Sequence, residues 1–164
     1  MTALQIIELF AGTSPDGEPV VERLQVRVNE DDSCQLVRSP AFVKGIASGD
    51  TIQLNRGKVD KDKQQFELLK RSGNLAVRVF CRGDSTELSD RLTPQLEKLG
   101  GELDMETPRL LVYSIHVSCG FDKIEEILNG ACDGANSVWY YGNVYDPQDG
   151  QTPLNWWQDI LKPE

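Results

Sequence analysis

The apolar residues of this chain change their spacing near Arg82, and that change limits the possible folds more than any other feature. Before it, short runs rich in Val, Ile, Leu and Phe stand between turn-forming clusters, which is the pattern of β-strands. The runs are Thr2–Ala11, Val20–Asn29, Cys34–Arg38, Thr51–Arg56, Gln64–Arg71 and Leu75–Arg82. Ser14-Pro-Asp-Gly17 and Glu30-Asp-Asp-Ser33 are turns by their chemistry: Pro presets φ, Gly accepts a positive φ, and Asp and Ser cap their own backbone. Leu24, Val26 and Val28 alternate with Arg23, Gln25 and Arg27, so one face of that strand is buried and the other wet. Five or six such strands in so short a stretch predict a small antiparallel barrel or curled sheet.

After Arg82 the period becomes helical. Asp84-Ser-Thr-Glu87 has the form of a capping box, Leu88, Leu92, Leu96 and Leu99 recur at helical spacing, and Gly100-Gly101 ends the run. Pro94 inside this stretch predicts a kink or a division into two pieces. Strands follow at Glu102–Glu106 and Leu110–Ser118, then a stripe of Phe121, Ile124, Ile127, Leu128 and Ala131, then an aromatic strand Val138–Tyr145. The order β-α-β-β-α-β is the split βαβ pattern of a ferredoxin-like fold. The predicted class is therefore α+β, with a small β-barrel-like or curled-sheet subdomain at 1–74 and a ferredoxin-like subdomain at 75–145. A tail at 146–164 follows, in which Thr152-Pro153 opens a short docked helix carrying Trp156 and Trp157.

Charge narrows the function. The 164 residues hold 26 acidic and 17 basic side chains, a formal net charge of −9. Residues 76–164 carry 15 acids against 7 bases, and residues 1–75 carry 11 against 10, so the acidity belongs to the second half. Direct nucleic-acid binding and polybasic membrane binding both need surplus Lys and Arg, and neither is expected. The start of the chain has no secretory pattern and no apolar run spans a bilayer, so a cytoplasmic location is expected. Cys34, Cys81, Cys119 and Cys132 form no CxxC pair, which predicts reduced cysteines and no metal site.

The residues give little support to catalysis. The single histidine, His116, lies in an apolar strand, and the sequence holds no nucleophile elbow, P-loop or dinucleotide glycine pattern. Asp60-Lys-Asp62-Lys-Gln64 lacks the Gly and closing Glu of a calcium loop and reads as a solvated turn. Arg78, Phe80, Ser114 and His116 fall on the face that a bare four-stranded sheet leaves open, with aromatics from the last strand. The expectation is that the first-half strands or the tail cover that face, and that Arg78 or Arg82 meets an acid there. Asp50, Arg78, Arg82 and His116 are the candidate cleft residues at the junction of the halves.

Two segments carry a family resemblance. Ser39-Pro-Ala-Phe-Val-Lys-Gly-Ile-Ala-Ser-Gly-Asp50 and Arg71-Ser-Gly-Asn-Leu-Ala-Val-Arg78-Val resemble the paired signatures of a bacterial family, domain of unknown function 4265. There a Pro-Phe segment leads to a Gly-Ile/Val-Ala-x-Gly-Asp turn, and a later Ser-Gly leads to an Arg-Val strand. Family members commonly carry His after the Ser-Gly, where this chain has Asn74. The resemblance implies no activity or cofactor. It points to structural turn roles for Pro40, Gly45, Gly49, Asp50 and Gly73. At the level of fold alone, the second half is also similar to acidic ferredoxin-like regulators that inhibit bacterial ribonucleases.

Together these features predict a non-enzymatic, acidic binding or regulatory module acting on a basic protein partner, with no cofactor. Two alternatives stand beside it: a small-ligand binder or enzyme using a cleft between the halves, and a self-associating protein whose Trp156-Trp157 tail packs on another subunit.

Overall fold

A computed structural model describes residues 3–54, 66–132, 137–146 and 151–161. The described residues form a mixed α and β architecture with two antiparallel sheets and few helices. The first sheet is a meander of β1 (Ala3–Thr13), β2 (Pro19–Val28), β3 (Cys34–Leu36), β4 (Thr51–Leu54) and β5 (Phe66–Lys70), neighbours in sequence order. The second holds β6 (Asn74–Cys81), β7 (Glu102–Glu106), β8 (Leu110–His116) and β9 (Ser137–Tyr141) in the order β7-β8-β6-β9. α1 (Thr86–Glu97) connects β6 to β7, α2 (Phe121–Cys132) connects β8 to β9, and a short α3 (Trp157–Ile160) follows.

Among the described residues the first sheet is open, so of the two expected forms, a barrel or a curled sheet, the closed barrel is not formed. Its order ends at β1 and β5, and no pairing joins those two among the described residues. The long β3–β4 connection explains why closure is not needed. It sends Val43 and Ile46 onto the sheet, where they pack with Leu9, Leu24, Val26, Leu36 and Ile52 into one buried cluster. A covering segment thus does the work that a closing strand pair would do.

The second core lies between sheet and helices. Leu75, Val77 and Val79 of β6 and Leu111, Tyr113 and Ile115 of β8 face Leu88, Leu92 and Leu96 of α1 and Ile124 and Leu128 of α2. Leu88, Leu92 and Leu96 hold α1 continuous through Pro94, so the helix is not divided. Pro94 is exposed, and the missing donor falls on the wet side where water can serve the freed carbonyl. The cap also differs from the capping box. Ser85 is the N-cap residue, its Oγ donates to the Thr107 carbonyl, and Asp84 Oδ1 accepts from the Thr86 N–H at 2.8 Å. At the other end Gly101 N–H bonds the Leu96 carbonyl and Gly100 takes φ +87°, a Schellman ending.

The tail corrects another expectation. Pro153 does not open a helix but forms an isolated bridge with Tyr145, and the helix begins at Trp157. The aromatic strand ends at Tyr141 rather than Tyr145. Trp156 and Trp157 pack on the second core within the chain. Trp156 Nε1 donates to the Asn143 carbonyl at 2.8 Å, and Trp157 meets Phe121 edge to face at 5.0 Å. The turn Asp60–Gln64 lies outside the described residues.

Candidate functional site

Strand β6 alternates. Its odd residues enter the second core, and its even residues, Asn74, Ala76, Arg78 and Phe80, face the first sheet. That even face is covered by the β3–β4 connection, where the first-half strands or the tail were expected. Ala41 packs on Leu110 and Val112, with Phe80 beside them. The cover is held at three places along the seam.

At the first, Glu22 and Arg78 grip one stretch of main chain from opposite sides. Glu22, buried on β2, accepts from the N–H groups of Ala41, Phe42 and Val43 at 2.6, 2.9 and 2.9 Å. Arg78 donates to the carbonyls of Pro40, Phe42 and Val43, the first two at 3.3 Å. Burial lowers the Arg78 guanidinium to a pKa of about 10, and the Glu22 charge opposes that effect. Gly142 makes room for this, since a Cβ there would stand 3.0 Å from Arg78 Nε.

The second is a hydroxyl and carboxylate cluster. A bulge in β7 falls at Asp104, and its Oδ2 accepts from Ser39 N–H at 2.8 Å and from Ser114 Oγ. Ser39 Oγ and Ser114 Oγ lie 2.5 Å apart, and Ser48 N–H donates to Ser39 Oγ.

The third is Asp50, almost fully buried. Its carboxylate accepts from Ala47 N–H at 2.9 Å, Ser72 N–H at 2.8 Å and Ser72 Oγ at 3.0 Å. Burial pushes its pKa up, and these bonds, with the nearby Arg71 charge, pull it back. Gly49 and Gly73 take φ +85° and +99°, and both are crowded: a Cβ would meet Ser72 Cβ at 2.8 Å and His116 Nε2 at 2.5 Å, respectively. Arg71 reaches from this turn to the Gly45 carbonyl at 3.0 Å and stacks over Trp156 at 5.1 Å.

The four candidate cleft residues therefore do not converge. Asp50 bonds Ser72 in the turn that begins β6, His116 ends β8 opposite Asn74 and beside Gly73 of that turn, and Arg78 lies four residues along the strand. His116 Nδ1 is turned to Ser118, at 3.1 Å from its N–H and 2.7 Å from its Oγ. Arg82 is exposed beyond the end of β6. Asp50 and Arg78 are bound into the scaffold. Among the described residues no group of three or more His, Cys, Asp or Glu could hold a metal, and no helix is long and apolar enough to cross a membrane.

The cleft that does form is aromatic. A cavity of about 590 Å³ is bounded by Ala41, Phe42 and Lys44 of the covering segment, Arg78 and Phe80 of β6, and Trp139 to Gly142 with Tyr145 at the end of the sheet. Phe42, Tyr140 and Tyr145 are exposed. Phe80 and Tyr140 meet edge to face at 5.8 Å, as do Trp139 and Tyr141 at 5.0 Å. Glu125 of α2 stands at the rim and accepts from Tyr141 Oη at 2.9 Å. Burial, then that bond, pushes the Tyr141 phenol far up.

The sequence put Phe80 and aromatics from the last strand on one face; Tyr140, opposite Arg78, lies there, whereas Trp139 and Tyr141, opposite Val79 and Val77, pack on the helix side, and Phe42 and Glu22 were missed. The signal for Glu22 was present. It stands in phase with Leu24, Val26 and Val28, an acid on an apolar face. Phe42 had none, because nothing local distinguishes an outward apolar residue in a connection from a buried one.

Comparison with known proteins agrees with the fold. A solved structure described as a novel crystal structure of a hypothetical protein from Neisseria gonorrhoeae superposes with a TM-score of 0.65 at 15% identity, covering 87% of this chain and 94% of that one. Among curated proteins no sequence matches. The family model described as "Domain of unknown function (DUF4265)" matches residues 22–139, so the chain belongs to that family.

Proposed function

We propose that the protein is a non-catalytic, cytoplasmic binding module that recognises a basic segment of a protein partner at the aromatic cleft. The observation that carries the reading is the placing of exposed Phe42, Tyr140 and Tyr145 around one cavity, most of whose lining comes from the half of the chain with 15 acids and 7 bases. Solvent-exposed aromatics grouped in a concave site are the usual anchors of an interface, and surplus acid favours a basic partner. The commitment of Asp50 and Arg78 to scaffold bonds supports binding over chemistry. In this reading residues 75–145 form a ferredoxin-like subdomain, supported by the β7-β8-β6-β9 order, with 1–74 as the covering subdomain and 146–164 as a docked tail. The cavity volume also suits a small planar ligand.

Selection from a displayed library of random peptides tests this. Enrichment of Lys- and Arg-bearing peptides is expected, with binding weakened by salt and lost in the Phe42→Ser/Tyr140→Ser variant. Peptides without basic residues, or peptides that bind the variant equally, would argue against it. Binding of planar metabolites in place of peptides would favour the ligand reading.

A further inference from the structure

The cleft does not stop at the aromatic cavity; it follows the outer edge of β9. A second hollow of about 760 Å³ is lined by Ser137 to Tyr140 of the strand and by Asn129, Gly130 and Cys132 of α2. The two cavities share Trp139 and Tyr140, so together they track the strand from Ser137 to Gly142. Glu125, Asn129 and Cys132 recur about one turn apart on α2 and make one wall. Phe42 and Phe80 make the other.

The backbone along this groove faces outward. Gly142 N–H donates to the Ala76 carbonyl at 2.7 Å, and Tyr140 and Val138 lie opposite Arg78 and Phe80 in the same register. By alternation the N–H and C=O groups of Ser137, Trp139 and Tyr141 point away from β6. Among the described residues no strand pairs with them. Proteins protect such edges with charge, and three edges here follow that rule: β1 has Glu8, β5 has Glu67 and Lys70, and β7 has Glu102, Asp104 and Glu106. β9, Ser-Val-Trp-Tyr-Tyr, has no charge at all. Among the described residues it is a strong strand former left open between two walls.

We propose that the β9 edge receives an extended, basic segment of a partner protein as an added strand, a mode of binding that rests on the recognition reading above. Charge selects this occupant. A second copy would bring together two halves with the same acid surplus, whereas a basic strand meets Glu125 on the α2 wall; of the two cations that line the cavity, Arg78 is tied to main-chain carbonyls beside Glu22, and Lys44 belongs to the covering segment with Phe42, away from α2. Residues of the added strand alternate between the walls, so the basic ones face α2 and the apolar ones face Phe42 and Phe80.

The test uses the full chain and the alternating peptide (Val-Lys)4, followed by titration calorimetry and by amide exchange at Trp139 and Tyr141. Because residues of one phase present all their amides to one side, N-methylation of either the Lys amides or the Val amides should cut affinity roughly tenfold or more, while the other set changes it about twofold at most. The Trp139 and Tyr141 amides should become protected. Ser137→Pro removes an outward donor without breaking the ladder, and Ser137 Oγ makes no bond, so this variant should fold and bind roughly threefold or more weakly. Binding that is lost in Phe42→Ser yet indifferent to both methylations would overturn strand addition and leave the recognition site standing. Absence of peptide binding, with a concentration-dependent dimer abolished by Ser137→Pro, would overturn it in favour of a second copy. No binding and no dimer would overturn both readings.

Discussion

The Glu22 and Arg78 pair makes a demanding prediction about stability. In Glu22→Gln the amide oxygen can keep the bonds from Phe42 and Val43, but its NH2 then faces the Ala41 N–H, donor against donor. One buried donor is left unsatisfied, at about 1–3 kcal/mol, and two charge-assisted bonds become neutral ones, at about 1 kcal/mol each. Arg78 also loses the charge that offsets its burial. The expected cost is about 3–5 kcal/mol, a large share of the 5–15 kcal/mol that typical domains have. Arg78→Met removes the donors to Pro40, Phe42 and Val43 and leaves Glu22 as an uncompensated buried charge, also at about 3–5 kcal/mol. The double variant buries neither charge, so it should cost less than the two singles together by about 1–3 kcal/mol. Urea unfolding of the four proteins, with slopes compared as well as midpoints, measures this. Additivity within about 0.5 kcal/mol would refute a shared clamp. So would a Glu22→Gln cost below about 1 kcal/mol.

Further outcomes follow from the same contacts. Tyr113 is fully buried, and burial raises its phenol to a pKa of about 12, with the Thr93 hydrogen bond opposing the rise. Because the folded pKa lies above the unfolded value near 10, the contribution is whole below pH 10 and is lost as pH climbs toward 12. The loss reaches about 1.4 kcal/mol per pH unit. Alkaline titration of unfolding should therefore show a flatter profile for Tyr113→Phe; an unchanged slope would exclude Tyr113 as its source. Gly73→Ala forces a Cβ to 2.5 Å from His116 Nε2 at φ +99°, and should destabilise by about 2–4 kcal/mol in thermal or urea unfolding. Adding His116→Ala should recover the steric part only; full recovery would show that backbone strain is absent.

The periodicities that sequence offers are local, and what they foretold was local. Leu88, Leu92 and Leu96 gave α1, the alternation at Leu24 to Val28 gave β2, and the β-α-β-β-α-β order of the second sheet was legible from the change of period near Arg82. That the first sheet stays open under a covering segment was not. It depends on where a loop of 14 residues, 37–50, comes to rest, and Val43 and Ile46 give no periodic sign that they plug a core. The site was half legible for the same reason. Arg78 and Phe80 were assigned to one face by counting in twos, but counting cannot show that Arg78 bonds three carbonyls 35 or more residues away. Asp50 and His116 were grouped with it as polar residues near a junction, and the structure sets them at a different end of β6, where they shape a turn.

The grip on residues 40–43 has a further consequence for how such a surface could be retuned. Both Glu22 and Arg78 take hold of peptide groups, which every residue supplies alike. The side chain at position 42 takes no part in that hold and is 49% exposed over the cavity. Anchorage and display are thus separate tasks in one loop. Substituting residue 42 can change what the groove prefers while the seam stays shut, so the preference of the surface can drift without the architecture having to follow.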